Sequence, residues 1–161
     1  MEFFELTEIA PELAGLSDAD RKPIELFTLT WSIFECKKLD RDASIPKMEE
    51  KLAGIEIDNI IFEEALNYFK QRYFPDGQES YHFEGLNIRQ SKVKARVESA
   101  LCGQATDPKE LLLICLIIVY RFRNNLFHGE KWVYGVKGQQ ENLLISVNLL
   151  ERCMRLFPDG I

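Results

Sequence analysis

The sequence predicts an all-α fold, a single-domain helical bundle of about six helices, and three observations predict it. Apolar residues recur at helical spacing almost throughout the chain. Helix-capping signals stand at the boundaries between those stretches. One run, Leu111 to Tyr120, is apolar on every side, as the central helix of a bundle is. The 161 residues, 46% apolar and 29% charged, are enough to bury a core. No linker, repeat or low-complexity tract divides them, so residues 1–161 read as one domain.

Each element has its own signal. Phe3, Leu6, Ile9, Ala10 and Leu13 predict a short first helix closed around Gly15. Asp20 is the expected N-cap of the second; Pro23 is tolerated in its first turn, and Ile24, Phe27, Trp31 and Phe34 form its stripe. Ser44-Ile45-Pro46 opens a third, short segment that Gly54 ends. Asp58 caps a fourth, with Ile61, Phe62, Ala65, Leu66 and Phe69 inward. Phe74-Pro75-Asp76-Gly77 begins a loop running to about Gly85, and a basic helix follows from Asn87 to Leu101. The next helix has the clearest start. Asp107 is the N-cap, Pro108 takes the first helical position, and Glu110 completes a capping box for the orphan N–H groups. Gly129 stands where a C-terminal glycine would end it. A last helix, Gln140 to Phe157, turns Leu143, Leu144, Val147, Leu150 and Met154 inward.

Several classes of function lose support at this level. Cys36, Cys102, Cys115 and Cys153 have no C-x-x-C spacing and only one lies near a histidine, which argues against zinc and for free thiols in a reducing compartment. The acidic start, Met1 to Glu5, has no basic leader region, and the ten apolar residues of Leu111–Tyr120 are about half of what a bilayer needs. A cytoplasmic protein without membrane contact is expected. Signatures for hydride transfer, P-loop chemistry and zinc hydrolysis are missing, and no cofactor or metal is implied.

The net charge of −6 disfavours bulk nucleic acid. Basic residues cluster locally, at Arg89, Lys92, Lys94 and Arg96 and again at Arg121, Arg123 and Lys131, while acidic ones concentrate at Glu49-Glu50, Glu56–Asp58 and Glu63-Glu64. That describes a basic site on an acidic body, although each run also reads as a solvated helix face.

The stretch that carries chemistry is Arg121-Phe122-Arg123-Asn124-Asn125-Leu126-Phe127-His128-Gly129, at the polar end of the apolar helix. An arginine near a histidine can bind a phosphate and move a proton. On a regular helix Arg121, Asn124, Asn125 and His128 share a face, whereas Arg123 and His128 are about 140° and about 7.5 Å apart. Two arginines therefore remain candidates for the phosphate.

Arg123-Asn124-x-x-x-His128 resembles the R-N-x-x-x-H form of the motif that marks HEPN domains, an all-helical group with many toxin and phage-defence ribonucleases. The resemblance implies a metal-independent endoribonuclease and a homodimer that joins two Arg/His pairs in one cleft. It favours Arg123 over Arg121 as the phosphate ligand. On that reading His128 is the general acid or base, Arg123 holds the scissile phosphate and Asn124 orients either. Arg121, Lys131 and Trp132 would bind the RNA, single-stranded where Trp132 and Tyr134 stack on its bases. Attack by the 2′-OH would leave a 2′,3′-cyclic phosphate. An antitoxin or regulatory protein is a further expected partner, but the tyrosine that family members paired with a nucleotidyltransferase antitoxin carry two residues after the histidine is Glu130 here. The alternative is a non-catalytic HEPN-like module that binds a nucleotide, RNA or a partner protein. Taken by itself, His128 also reads as an ordinary helix-terminal residue, and His82, between Tyr81 and Phe83, reads as packing.

Overall fold

Prolines, glycines and capping side chains cut the chain into seven α-helices among the residues described by the computed structural model, 3–129 and 137–159. They are α1 (Phe3–Ile9), α2 (Asp18–Lys38), α3 (Ile45–Ala53), α4 (Glu63–Tyr73), α5 (Ser91–Leu101), α6 (Pro108–Phe127) and α7 (Gln140–Leu156). Among the described residues there is no strand. α2 runs along α7, and α3, α4 and α5 each pack against α6, which is the axis of the bundle. Residues 112–119 of α6 are all buried, and they join Phe27, Trp31, Phe34, Phe69, Tyr73 and Leu150 in one core. At about 1.5–3 kcal/mol for each large apolar side chain, that core supplies most of the stabilisation of the bundle.

Local chemistry moved several boundaries. Pro11 ends α1 and starts a 3-10 turn, Pro11–Gly15. Of the predicted first stripe Leu13 is buried, while Leu6 and Ile9 are exposed; the side chain of Phe3 lies outside the described part. The N-cap of α2 is Ser17, not Asp20. Ser17 Oγ accepts the Asp20 N–H at 3.2 Å and the Asp20 carboxylate accepts the Ser17 N–H, a full capping box with Asp20 at its third position. Asp58 caps only a 3-10 turn, Asn59–Ile61, that precedes α4. The basic helix begins at Ser91 because Asn87 is left-handed (φ +55°) and breaks the helix before it. In α7 the inward row is Leu143, Val147, Leu149, Leu150 and Cys153, and Leu144 is exposed. The α3 boundaries, Ser44 and Gly54, stand as predicted.

Asp107 caps α6 through the Glu110 N–H at 3.1 Å, but the Glu110 carboxylate is not turned back on the cap. It is gripped by Arg96 at 2.9 and 2.8 Å, and the same guanidinium reaches Glu49 at 2.9 Å, so that α3, α5 and α6 are clamped together. These carboxylate bonds, Glu110 first, raise the Arg96 pKa further above its ordinary value. Arg96 thus belongs to the scaffold. At its other end α6 closes on His128, whose N–H donates to the Asn124 carbonyl at 2.9 Å, and Gly129 follows at φ +78°, the left-handed turn glycine adopts without a Cβ clash.

Candidate functional site

The last two turns of α6 point their polar side chains in two directions. Arg121 and Asn125, four residues apart, face the 3-10 turn Glu84–Leu86. Arg121 Nε donates to the Leu86 carbonyl at 2.9 Å and Asn125 Nδ2 donates to the Gly85 carbonyl at 3.0 Å. Asn125 Oδ1 accepts from Asn87 Nδ2 at 3.3 Å. Asn125 is 2% exposed, so it is a staple between α6 and the turn and not a frayed helix end.

Beside this staple lies a cavity of about 500 Å³. Ile45, Ile88, Val93, Ile117 and Tyr120 give it an apolar side, and Trp31 stacks behind Tyr120 at 5.9 Å between ring centres. Its polar side is Arg121, Asn124, Asn125 and His128 from α6, with Asn87, Arg89 and Gln90 from the segment before α5. No aspartate or glutamate is among the described residues that line it, in a chain with 26 acidic against 20 basic residues. A cavity without carboxylates and with two guanidiniums is a place for an anion. His128 is exposed at its edge, and no other described residue hydrogen-bonds its ring.

Arg123 lies on the other side. It is not among the described lining residues; its Nη1 donates to Asn124 Oδ1 at 3.0 Å, and its guanidinium sits 5.0 Å from the Phe127 ring centre. Its Nη2 is 3.9 Å from Glu35, the carboxylate that accepts Trp31 Nε1 at 2.8 Å. Arginine has donors only, so Asn124 must offer it the carbonyl oxygen and keep the NH2 group for the cavity. The described structure therefore brings together Arg121, Asn124 and His128, the same-face set, and sets Arg123 behind Asn124. Lys131, Trp132 and Tyr134, and with them Glu130, lie outside the described residues.

Sequence reasoning missed Asn87, Arg89 and Gln90 as wall residues. The sequence reads 87–90 as the first turn of the basic helix, whereas the helix starts at Ser91 and four side chains of that stretch line the cavity. Of the basic run only Arg89 enters the cavity; Lys94 lies 5.6 Å from the Phe83 ring centre and 4.0 Å from Glu98. The His82 ring lies 4.0 Å from that of Tyr81, tilted by 36°, and lines a second cavity. Cys36 and Cys102 are exposed free thiols, and burial pushes the Cys115 thiol well up and that of Cys153 up to about 12. Among the described residues no group of three His, Cys, Asp or Glu could hold a metal ion, and no helix is long and apolar enough to cross a membrane. The chain matches no family model, and comparison with curated proteins and with solved structures finds no significant match.

Proposed function

We propose that this protein is a HEPN-like, metal-independent endoribonuclease of the toxin or phage-defence type. The observation that carries the reading is the cavity in which Arg121, Asn124 and His128 meet without a described carboxylate. Arg121, with Arg89 nearby, binds the scissile phosphate and offsets the charge growing on its non-bridging oxygens. The Asn124 NH2 adds a neutral donor that Arg123 holds in orientation. His128 takes the proton of the ribose 2′-OH or gives one to the leaving 5′-oxygen, and water makes the other proton transfer. The 2′-oxygen attacks phosphorus, the bond to the 5′-oxygen breaks, and the products are a 2′,3′-cyclic phosphate and a 5′-hydroxyl. A cavity of about 500 Å³ holds one nucleotide drawn out of a stack, which selects single-stranded RNA.

This assignment changes the case for a dimer. The distance round the helix from Arg123 to His128 is what would call for a second chain; Arg121 and His128 already share one cavity in a single chain. A homodimer and an antitoxin or regulator then act on access to the site and are not needed to build it.

One observation favours the alternative, a module that binds nucleotide or RNA without cleaving it: no second described group orients the His128 ring, as a catalytic histidine's partner usually does. His128→Ala separates the two. Cleavage of single-stranded RNA in EDTA should fall by about 10²–10⁴ while RNA binding is kept. Binding by the wild-type protein without any cleavage establishes the module instead.

A further inference from the structure

We propose that the second cavity, about 420 Å³ between α4, the segment 81–86 and the start of α7, is a nucleotide-binding site, with the phosphate against Arg72 and the base on Tyr81. It stands across the Glu84–Leu86 turn from the first cavity, and nothing in the cleavage reading uses it. Its polar lining is Arg72, Tyr81, His82, Lys137, Gln139 and Asn142, again without a described carboxylate.

Arg72 supplies the anion end. Its Nε is buried and has no hydrogen-bond partner among the described residues. The guanidinium as a whole lines the cavity and stays cationic, and that positive charge favours an anionic oxygen there. The guanidinium carbon lies 6.0 Å from the Tyr73 ring centre, at the outer limit of a cation–π contact. Lys137 adds positive field, shared with Asp20, whose carboxyl it helps to hold below the usual range after the larger effect of the Ser17 hydrogen bonds.

Tyr81 supplies the aromatic end. It is 84% exposed, yet its ring lies 4.0 Å from that of His82 at an angle of 36°. A tyrosine that buries almost nothing adds little to folding, and its open face is a platform for a base. The wall between the two ends is rigid. Asn142 Oδ1 accepts from Tyr68 Oη at 2.8 Å and its Nδ2 donates to Gln139 Oε1 at 2.9 Å. A ligand that satisfies both ends carries a phosphate and an aromatic base, either a free mononucleotide or one residue of RNA.

The test is calorimetric titration of the full chain carrying Arg89→Gln and Arg121→Gln, which removes both guanidiniums that line the first cavity and separates its binding from the result. Adenosine monophosphate should bind at least tenfold more tightly than adenosine or inorganic phosphate. Arg72→Gln should weaken it at least tenfold, and Tyr81→Ala, on an exposed side chain, should reduce it to the level of phosphate. A dinucleoside monophosphate that binds as well as the mononucleotide assigns the site to RNA; binding of the mononucleotide alone assigns it to a free nucleotide. Adenosine binding as tightly as the nucleotide, mononucleotide binding that neither substitution alters, or no binding at millimolar concentration overturns the proposal.

Discussion

Replacing Arg121 by lysine keeps the positive charge in the cavity and removes the planar fork that can hold a phosphate by two parallel bonds. Two losses follow. The first is structural: the Nε bond to the Leu86 carbonyl, 2.9 Å long and part-buried, goes with the guanidinium. Hydrogen bonds from charged donors are worth about 1.5–3 kcal/mol, and partial solvation places this one near about 1.5. For a 161-residue chain unfolding with an entropy of about 2.1 cal/mol/K per residue, that lowers Tm by about 4 °C. The second is catalytic. Loss of one preorganised donor to the developing oxyanion costs about 10²-fold in kcat, or about 2.7 kcal/mol. Arg123→Lys should cost less than about tenfold, since its guanidinium reaches the cavity only through Asn124 and a lysine can still donate to that carbonyl. Turnover of an end-labelled single-stranded RNA, with thermal melting of each variant, measures both effects. A large loss for Arg123→Lys with near-normal Arg121→Lys would refute the assignment and return the phosphate to Arg123.

Asn125→Ala should destabilise the fold by about 2 kcal/mol, about 6 °C in Tm, because a 2%-exposed amide loses two hydrogen bonds and the Gly85 carbonyl loses its donor; denaturant unfolding checks it. Two of the four thiols, Cys36 and Cys102, should react with a thiol reagent in the native protein and all four in denaturant. The buried Cys153 thiol also sets a pH dependence. Its pKa is raised from 9.0 to about 12, so the folded state favours the proton; that contribution is full below pH 9, and stability declines as pH rises from 9 towards 12.

What the sequence made legible follows the range of the forces involved. Asp107, Pro108 and Gly129 act within a turn of the backbone they control, and they marked the ends of α6 correctly. Ser17 and Asp20 were harder, since both are good caps and only the paired geometry shows which is which. Leu144 was placed inward by periodicity, but whether a flank residue of an apolar stripe is covered depends on the neighbouring helix, and Leu144 is left 46% exposed. Of the site, helical periodicity alone grouped Arg121, Asn124, Asn125 and His128, and the cavity has all four. The motif order pointed to Arg123 and gave no warning that Glu35, Phe127 and Asn124 would hold it on the other side. Asn87 and Arg89 were not legible as site residues, because it is the tertiary staple through Asn125 and Arg121 that carries their segment to α6.

On the proposed mechanism, the 2′-oxygen of the RNA itself is the nucleophile in the cavity of Arg121, Asn124 and His128. The most direct measurement is product analysis with a single-stranded RNA in EDTA, set beside the same strand with one 2′-deoxy nucleotide at the cleaved position. The RNA should yield a 2′,3′-cyclic phosphate and a 5′-hydroxyl, with no cut at the deoxy position and loss of both products in His128→Ala. Cleavage that continues at the deoxy position, or products with a 5′-phosphate, would contradict it.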